Sequence, residues 1–405
     1  MLKRYLRAYP TFIALLFFAV SMVFTANLQA GNNKPMLHHV PSADCGSCHT
    51  EIYRQWAGSM HGNSTALKDP IHGAMYKSLM GSPTKEGVKS KKGTYPVCLQ
   101  CHAPNAARDG KTKLDTMAAY SEGVNCVACH TMKKALGPKA NSRLGAKAFE
   151  FSETALQGPG GSFSGSQQVK VPGGEGVEMV NPFPHEARSN LFRSSDLCLG
   201  CHESRKNGKG VPVCSTGPEV MHSGNTVTCQ SCHMPVVNGA ADHSMAGGHD
   251  PAMVKRGVIF TVSADNNRAV VNIKNTLAHN LPTGAPFRNM VVKLIAFDAK
   301  GKQIWSNYKK SAFKEDKKSV MMLFLVGKDG KPVPPPKATN IGRDTRLKPG
   351  ESRDFVYHIP VKGVAKVRAE LFYDLLPPPV KKMLAKKVPA NLLKPSLIAI
   401  AEANF

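Results

Sequence analysis

Two hydrophobic patterns divide the chain. From about residue 255, short runs rich in Val, Ile and Phe recur: RGVIFTVSA, RAVVNIKN, NMVVKLIAFDA, SRDFVYHIP and VAKVRAELFYD. In the last of these, Val367, Ala369, Leu371 and Tyr373 alternate with Lys366, Arg368, Glu370 and Asp374. That is the period of a strand with one buried face. DAKGK and KPGES separate the runs as turns. Several short strands, with no cysteine among them, predict a β-sandwich-like domain over residues 255–405. The proline-rich GKDGKPVPPPK (327–337) cannot be a central strand, and KKMLAKK (381–387) reads as a short basic helix on the surface.

Upstream the pattern is broken. Short helices are expected at EIYRQW and at LFRSSDLC, and the glycine-rich stretch 156–179 and the basic KEGVKSKK (85–92) read as surface loops. The apolar run from Phe12 to Phe24 follows Lys3, Arg4 and Arg7 and precedes the small-residue box Leu28-Gln-Ala30. It reads as a secretory signal peptide over residues 1–30, being shorter than the ~20 residues of a spanning helix. No later segment is long and apolar enough to span a bilayer. The mature chain is therefore expected in the periplasm, or exported to the cell surface or the extracellular space.

Composition changes this picture through charge and cysteine. The formal charge is +25, or +22 once Lys3, Arg4 and Arg7 leave with the leader. Such an excess suits nucleic acid, an anionic surface, or a counter-charge carried inside the protein itself. The cysteines point to the last of these. Ten of the eleven form Cys-x-x-Cys pairs: Cys45 and Cys48, Cys98 and Cys101, Cys126 and Cys129, Cys198 and Cys201, Cys229 and Cys232. Each pair is followed at once by histidine: His49, His102, His130, His202 and His233. Disulfide frameworks and zinc ribbons have no need of that histidine, and five coincidences are far beyond chance for a chain with 15 His. Cys-x-x-Cys-His is the c-type haem attachment pattern. The two thiols add to the haem vinyl groups and the histidine supplies the proximal imidazole. Five covalent haem c groups are expected, bringing about ten propionate charges to pair with Lys and Arg. No nucleic-acid recognition motif is present.

The stretch 31–254 spends too few residues per haem for a conventional core. A mainly α and irregular domain packed around porphyrin is expected there, followed by the β-sandwich-like domain of 255–405. The fold class is α+β and multidomain.

Haem iron has a sixth position, so the spare histidines matter. Distal candidates are His61 shortly after the first motif, His185 just ahead of the fourth, His243 and His249 just after the fifth, and His279 in TLAHNLPTG. His72 and His222 are reserves. His38 and His39 are expected to be exposed near the new N-terminus, and His358 to be structural in a strand. His279 sits on a loop between two strands, with Pro282 and Gly284 shaping the turn. From there it can reach out of the β domain and cap a haem held by the other domain. Cys214 acquires no role beyond a buried free thiol or a link to another molecule.

The segments CGSCHTEIYRQWAGSMHGN, CQSCHMP followed by DHSMAGGHD, and HNLPTG resemble multihaem cytochromes of the cytochrome c-554/c-552 type over roughly residues 44–290. RLKPGESRDFVYHIP resembles the β domain appended to some members. The resemblance implies that His61 and His279 are distal ligands, and that the protein transfers electrons in the periplasm or at the cell surface. The family's namesake carries four haems; five are expected here. Three functions follow from these readings. The first is an electron carrier between redox partner proteins, more a carrier than a catalyst. The second is a reductase or oxidase of a small nitrogen or sulfur compound, which needs one open haem. The third is a homo-oligomer or extracellular filament, in which a histidine of one subunit caps a haem of the next.

Overall fold

Nine strands carry the C-terminal part among the described residues: β1 (Val258–Asp265), β2 (Arg268–Asn275), β3 (Asn289–Phe297), β4 (Gln303–Ser306), β5 (Val320–Val326), β6 (Asn340–Asp344), β7 (Ser352–His358), β8 (Lys366–Asp374) and β9 (Ser396–Asn404). They form two antiparallel sheets. One has the order β1-β2-β7; the other has the order β6-β5-β3-β8-β9, with β4 beside β3. Val271 lies opposite Phe355 in the first sheet, and Val292 opposite Leu371 in the second. The inward residues of both sheets share one core: Val271, Ile273 and Phe355 from one side, Met290, Val292, Leu294 and Leu371 from the other. Each such aliphatic side chain stabilises the sandwich by about 1.5–3 kcal/mol relative to exposure. Alternation in β8 is as the sequence predicts, with Val367, Ala369, Leu371 and Tyr373 buried.

The computed structural model describes residues 36–137, 143–160, 166–169, 177–180, 182–265 and 268–405. The leader expected over 1–30 and parts of the glycine-rich stretch 156–179 lie outside them. Upstream of β1 the described chain forms helices of one to three turns around several small buried clusters. One of these holds Tyr76, Leu99, Leu114 and Tyr120. EIYRQW lies in the helix Thr50–Gly58, and LFRSSDLC spans the end of Ser189–Phe192 and the start of Asp196–His202.

Three expectations are corrected. The stretch 156–179 is not all loop: Leu156–Gly158 pairs in parallel with His185–Ala187, and Ser166–Val169 pairs antiparallel with Val177–Val180. The segments flanking the glycines carry enough β-forming residues to pair. The basic helix runs Pro378–Leu384, because prolines at its start are pre-set for the first turn. It also buries Leu384 against Ile71 and Ala74. His38 is buried, only 4% exposed, because a carboxylate distant in sequence holds it.

Leu37–Phe405 form one compact unit. Val254 enters the sandwich core, and Val211 packs on Leu323, Leu325 and Ala338. The Asn207 amide donates to the carbonyls of Pro335 and Ala338 at 2.8 Å each. Among the described residues no helix is long and apolar enough to cross a membrane.

Candidate haem-binding sites

Each attachment motif is a single helical turn or its edge. Cys126–His130 and Cys229–His233 are short helices, Asp196–His202 contains the fourth motif, and Leu99–His102 follows Cys98. In the first motif the His49 amide donates to the Cys45 carbonyl at 2.9 Å. Residues i, i+3 and i+4 of a helical turn share one face, so both thiols and the imidazole of a motif can address one porphyrin. All eleven cysteines are free thiols, as thioether formation requires.

The thiols also show which motifs are neighbours. Cys45 lies beside Cys126, Cys101 beside Cys201 and Cys198 beside Cys229, each close enough to shift its partner's pKa. Cys129 adds to the electrostatic burden on Cys198 and Cys201. The first motif therefore adjoins the third, and the fourth adjoins the second, third and fifth.

Every motif histidine has a second imidazole nearby. Ring centres are 6.0 Å apart for His202 and His61, 6.4 Å for His130 and His243, and 6.5 Å for His233 and His279. Metal–nitrogen bonds of about 2 Å on both sides of an iron set ring centres roughly 6 Å apart, so these pairs fit an axially closed haem. His102 and His72 stand closer, at 4.0 Å. The pKa of His185 lies below its ordinary value, first through burial and further through His49 beside it.

Backbone carbonyls set the tautomers. The Nδ1 atoms of His130, His233, His243 and His279 lie 2.7–2.9 Å from the carbonyls of Gln157, Ala246, Ala241 and Asn280. The Ser64 carbonyl meets Nδ1 of both His72 and His102, at 2.9 and 3.0 Å. That of Phe183 meets His185 at 3.0 Å. A proton on Nδ1 leaves the Nε2 lone pair for a metal, the usual outer support of a ligating imidazole. Nε2 of His72 is buried with no hydrogen-bond partner. Burial, above all, pulls the pKa of His61 and His102 down to about 3 and that of His130 to about 4, so the neutral, ligating form prevails. The residues present fit haem c.

Local packing holds these groups in place. The Trp56 indole N–H, on the helix after the first motif, donates to the Val124 carbonyl at 2.8 Å, just ahead of the third motif. A Cβ at Gly123 (φ +78°) would stand 2.4 Å from the His61 carbonyl, so only glycine allows this approach. The His279 loop is anchored at both ends. Leu281 and Leu347 exchange backbone hydrogen bonds of 2.8 and 2.9 Å, and the Asn275 amide donates to the His279 carbonyl at 2.9 Å. Glu219, on the helix Thr216–His222 ahead of the fifth motif, accepts from the Thr283 hydroxyl at 2.5 Å and from the Asn280 amide at 3.2 Å.

Of the five expected distal residues, His61, His243 and His279 face motif imidazoles, and His185 lies near His49 and His130. His249 does neither: its Nε2 accepts a hydrogen bond from Arg288 at 2.9 Å. The reserve His72 faces His102 instead. The Asp-Pro start of its helix, where the Asp69 carboxylate caps the Ile71 and His72 amides, was readable in the sequence. Which motif that helix faces was not. Glu219, Asn275 and Ser64 carried no sequence signal as supports. The other reserve, His222, is exposed, as is His358 at the end of β7.

Paired thiols, proximal histidines and facing imidazoles define a multihaem c-type cytochrome. The family model for cytochrome c554 and c-prime matches residues 44–131. A penta-haem cytochrome c552 from Thermochromatium tepidum is similar in structure, with 45% sequence identity and a TM-score of 0.83, over 92% of this chain and 100% of that one. No curated protein matches. The chain belongs to the multihaem c-type cytochromes.

Proposed function

We propose that this chain is an electron-transfer cytochrome holding five covalent haem c groups, each closed axially by two histidines. The cysteine pairs of the five motifs tether the groups, and His49, His102, His130, His202 and His233 are the proximal ligands. Facing them in that order are His185, His72, His243, His61 and His279. Bound haem supplies one-electron exchange at iron and a conjugated ring that brings the next centre within reach. The chain sets the order: the first site beside the third, the third beside the fourth, and the second and fifth both beside the fourth. It also shields the axial faces, presenting imidazoles where water or substrate would otherwise bind, those of His72, His185, His243 and His279 fixed by backbone carbonyls and that of His61 by the Met245 sulfur.

The observation that carries this reading is that His202, His130 and His233 each have an imidazole of their own chain at a spacing suited to one iron between them, with His72 stacked beside His102 and His185 near His49. A reductase needs a motif histidine with no such partner, and a filament whose subunits cap each other's haems needs the same. The positive leader and apolar run at the N-terminus, with covalent haem attachment, support delivery to the periplasm or beyond. The partners are a donor and an acceptor protein. The basic excess left after haem propionates are counted suits an acidic docking face.

Low-temperature electron paramagnetic resonance of the oxidised holoprotein, with a pyridine haemochrome count, tests the proposal. Five haems per chain with low-spin signals throughout are expected. A high-spin ferric signal amounting to one haem would overturn the carrier reading in favour of the reductase.

A further inference from the structure

We propose that His38, His39 and Asp109 form a binding site for one divalent cation of the zinc class, separate from the haem sites. Three segments meet there. Leu37–His39 is a single tight turn, Asp109 ends the helix Pro104–Arg108 that follows the second attachment motif, and Tyr120 lies on Ala118–Ser121 ahead of the third. Nε2 of His38 lies 2.8 Å from one Asp109 carboxylate oxygen, and Nε2 of His39 lies 2.7 Å from the other. The two imidazole nitrogens and the carboxylate lie within 4.8 Å of one another. A tetrahedral ion with bonds of about 2 Å needs its ligand atoms about 3.3 Å apart, so small side-chain rotations would admit it.

A second observation points to a ligand. Nδ1 of His38 is buried and has no hydrogen-bond partner, yet a Glu153 carboxylate oxygen stands 3.7 Å away. While His38 holds its proton on Nε2 for Asp109, Nδ1 has nothing to accept. With Nε2 turned to a cation, the proton moves to Nδ1 and faces Glu153. The orphan then gains a carboxylate acceptor, the outer support that ligating histidines ordinarily have. The Tyr120 hydroxyl donates to Asp109 at 2.6 Å and orients the carboxylate. Arg108 is the nearby positive charge that would oppose a cation. It is already engaged by Glu153 at 2.9 Å and by the Thr131 hydroxyl, and it stacks 4.0 Å over the Phe151 ring.

The donor set selects the ion. Two imidazoles and one carboxylate suit zinc, nickel or copper(II) and not calcium or magnesium, which take oxygen ligands. His39 and Asp109 are each 18% exposed, which leaves water access for a fourth position. The bound ion would join the start of the described chain to the segment between the second and third motifs.

The test uses the holoprotein, treated with chelator and then titrated with zinc by calorimetry, with X-ray absorption at the zinc edge. One equivalent per chain is expected, with two imidazoles and oxygen ligands at about 2 Å. His39→Gln should weaken binding at least tenfold. Glu153→Gln should weaken it about 10–100-fold, as outer-shell losses do. His222→Gln, on an exposed histidine elsewhere, should leave binding unchanged. The Soret spectrum should stay constant throughout. Absence of a stoichiometric site, a zinc edge without imidazole scattering, or a His39→Gln protein that binds like wild type each overturns the proposal. The absorption measurement on unmodified protein decides the matter if a variant fails to fold.

Discussion

Arg346 donates to one carboxylate oxygen of Glu219 at 2.7 Å, with both side chains less than a tenth exposed. The other oxygen of Glu219 accepts from Thr283 and from the Asn280 amide. One buried carboxylate therefore fixes the loop carrying His279 to the helix that leads into the fifth motif, and Arg346 of the sandwich balances its charge. Arg346 also holds Asp344 through hydrogen bonds of 2.7 and 2.9 Å, so neutralising Glu219 leaves the guanidinium paired and costs about 1–3 kcal/mol, the range for a lost hydrogen bond to a charged group. Glu219→Gln should lower the guanidinium unfolding midpoint accordingly. It should also shift one of the five low-spin signals, because His279 loses its support. A loss below about 1 kcal/mol with unchanged spectra would show that the loop is held by other means.

His72 and His249 separate two accounts of the distal ligands. His72 faces His102, while His249 is occupied by Arg288. His72→Ala should open one haem, seen as a high-spin ferric signal and carbon monoxide binding by one reduced haem in five. His249→Ala should bind none. The reverse result would restore the assignment that sequence position alone suggested.

Gly200 lies inside the fourth motif, CLGCH. A Cβ there would stand 2.2 Å from the Phe149 ring and 3.1 Å from Ala148. Phe149 packs with Met132 and Ala148 in a small buried cluster and has little room to yield. Gly200→Ala should destabilise the holoprotein by about 1–3 kcal/mol, as overpacking does. Phe149→Leu in the same chain should return part of that loss. Melting curves followed at the Soret band report both. A Gly200→Ala protein that melts like wild type would show that Phe149 moves freely.

Attachment chemistry was legible in the sequence because it is local. A haem c motif occupies five consecutive residues, and strand alternation in β8 needs only nine. That His61 and His279 are candidate distal ligands was legible through neighbouring motifs. His72 and the Glu219–Arg346 pair were not, because each depends on contacts between segments far apart in the chain. His38 was misjudged for the same reason. Its nearness to the N-terminus suggested exposure, and only the folded chain brings Asp109, 71 residues away, against it. The fit of Phe149 over Gly200 depends on side-chain shape in three dimensions, and no periodicity encodes it.

His249 gives stability a pH dependence whose sign can be worked out. Its Nε2 accepts from Arg288, and burial, then that guanidinium, pull its pKa from an ordinary 6.5 down to about 4, against a smaller opposing pull from Asp69. Between those values the unfolded chain binds a proton at this site and the folded chain does not. Acidification therefore favours unfolding. The contribution is intact above pH 6.5, declines as pH falls below it, and stops changing once pH is below about 4, where both states are protonated. Between pH 7 and pH 5 the loss should be about 1–2 kcal/mol, allowing for partial solvent access. The haem-ligating histidines add a slope of their own when unfolding releases them, so the wild-type curve alone does not isolate His249. His249→Gln keeps an acceptor for Arg288, cannot titrate, and leaves that other slope in place. Guanidinium unfolding of both proteins at pH 7 and pH 5 should show the variant losing about 1–2 kcal/mol less than wild type. Equal losses would mean that His249 is protonated in the folded chain as readily as in the unfolded one, and that the Arg288 contact does not hold it neutral.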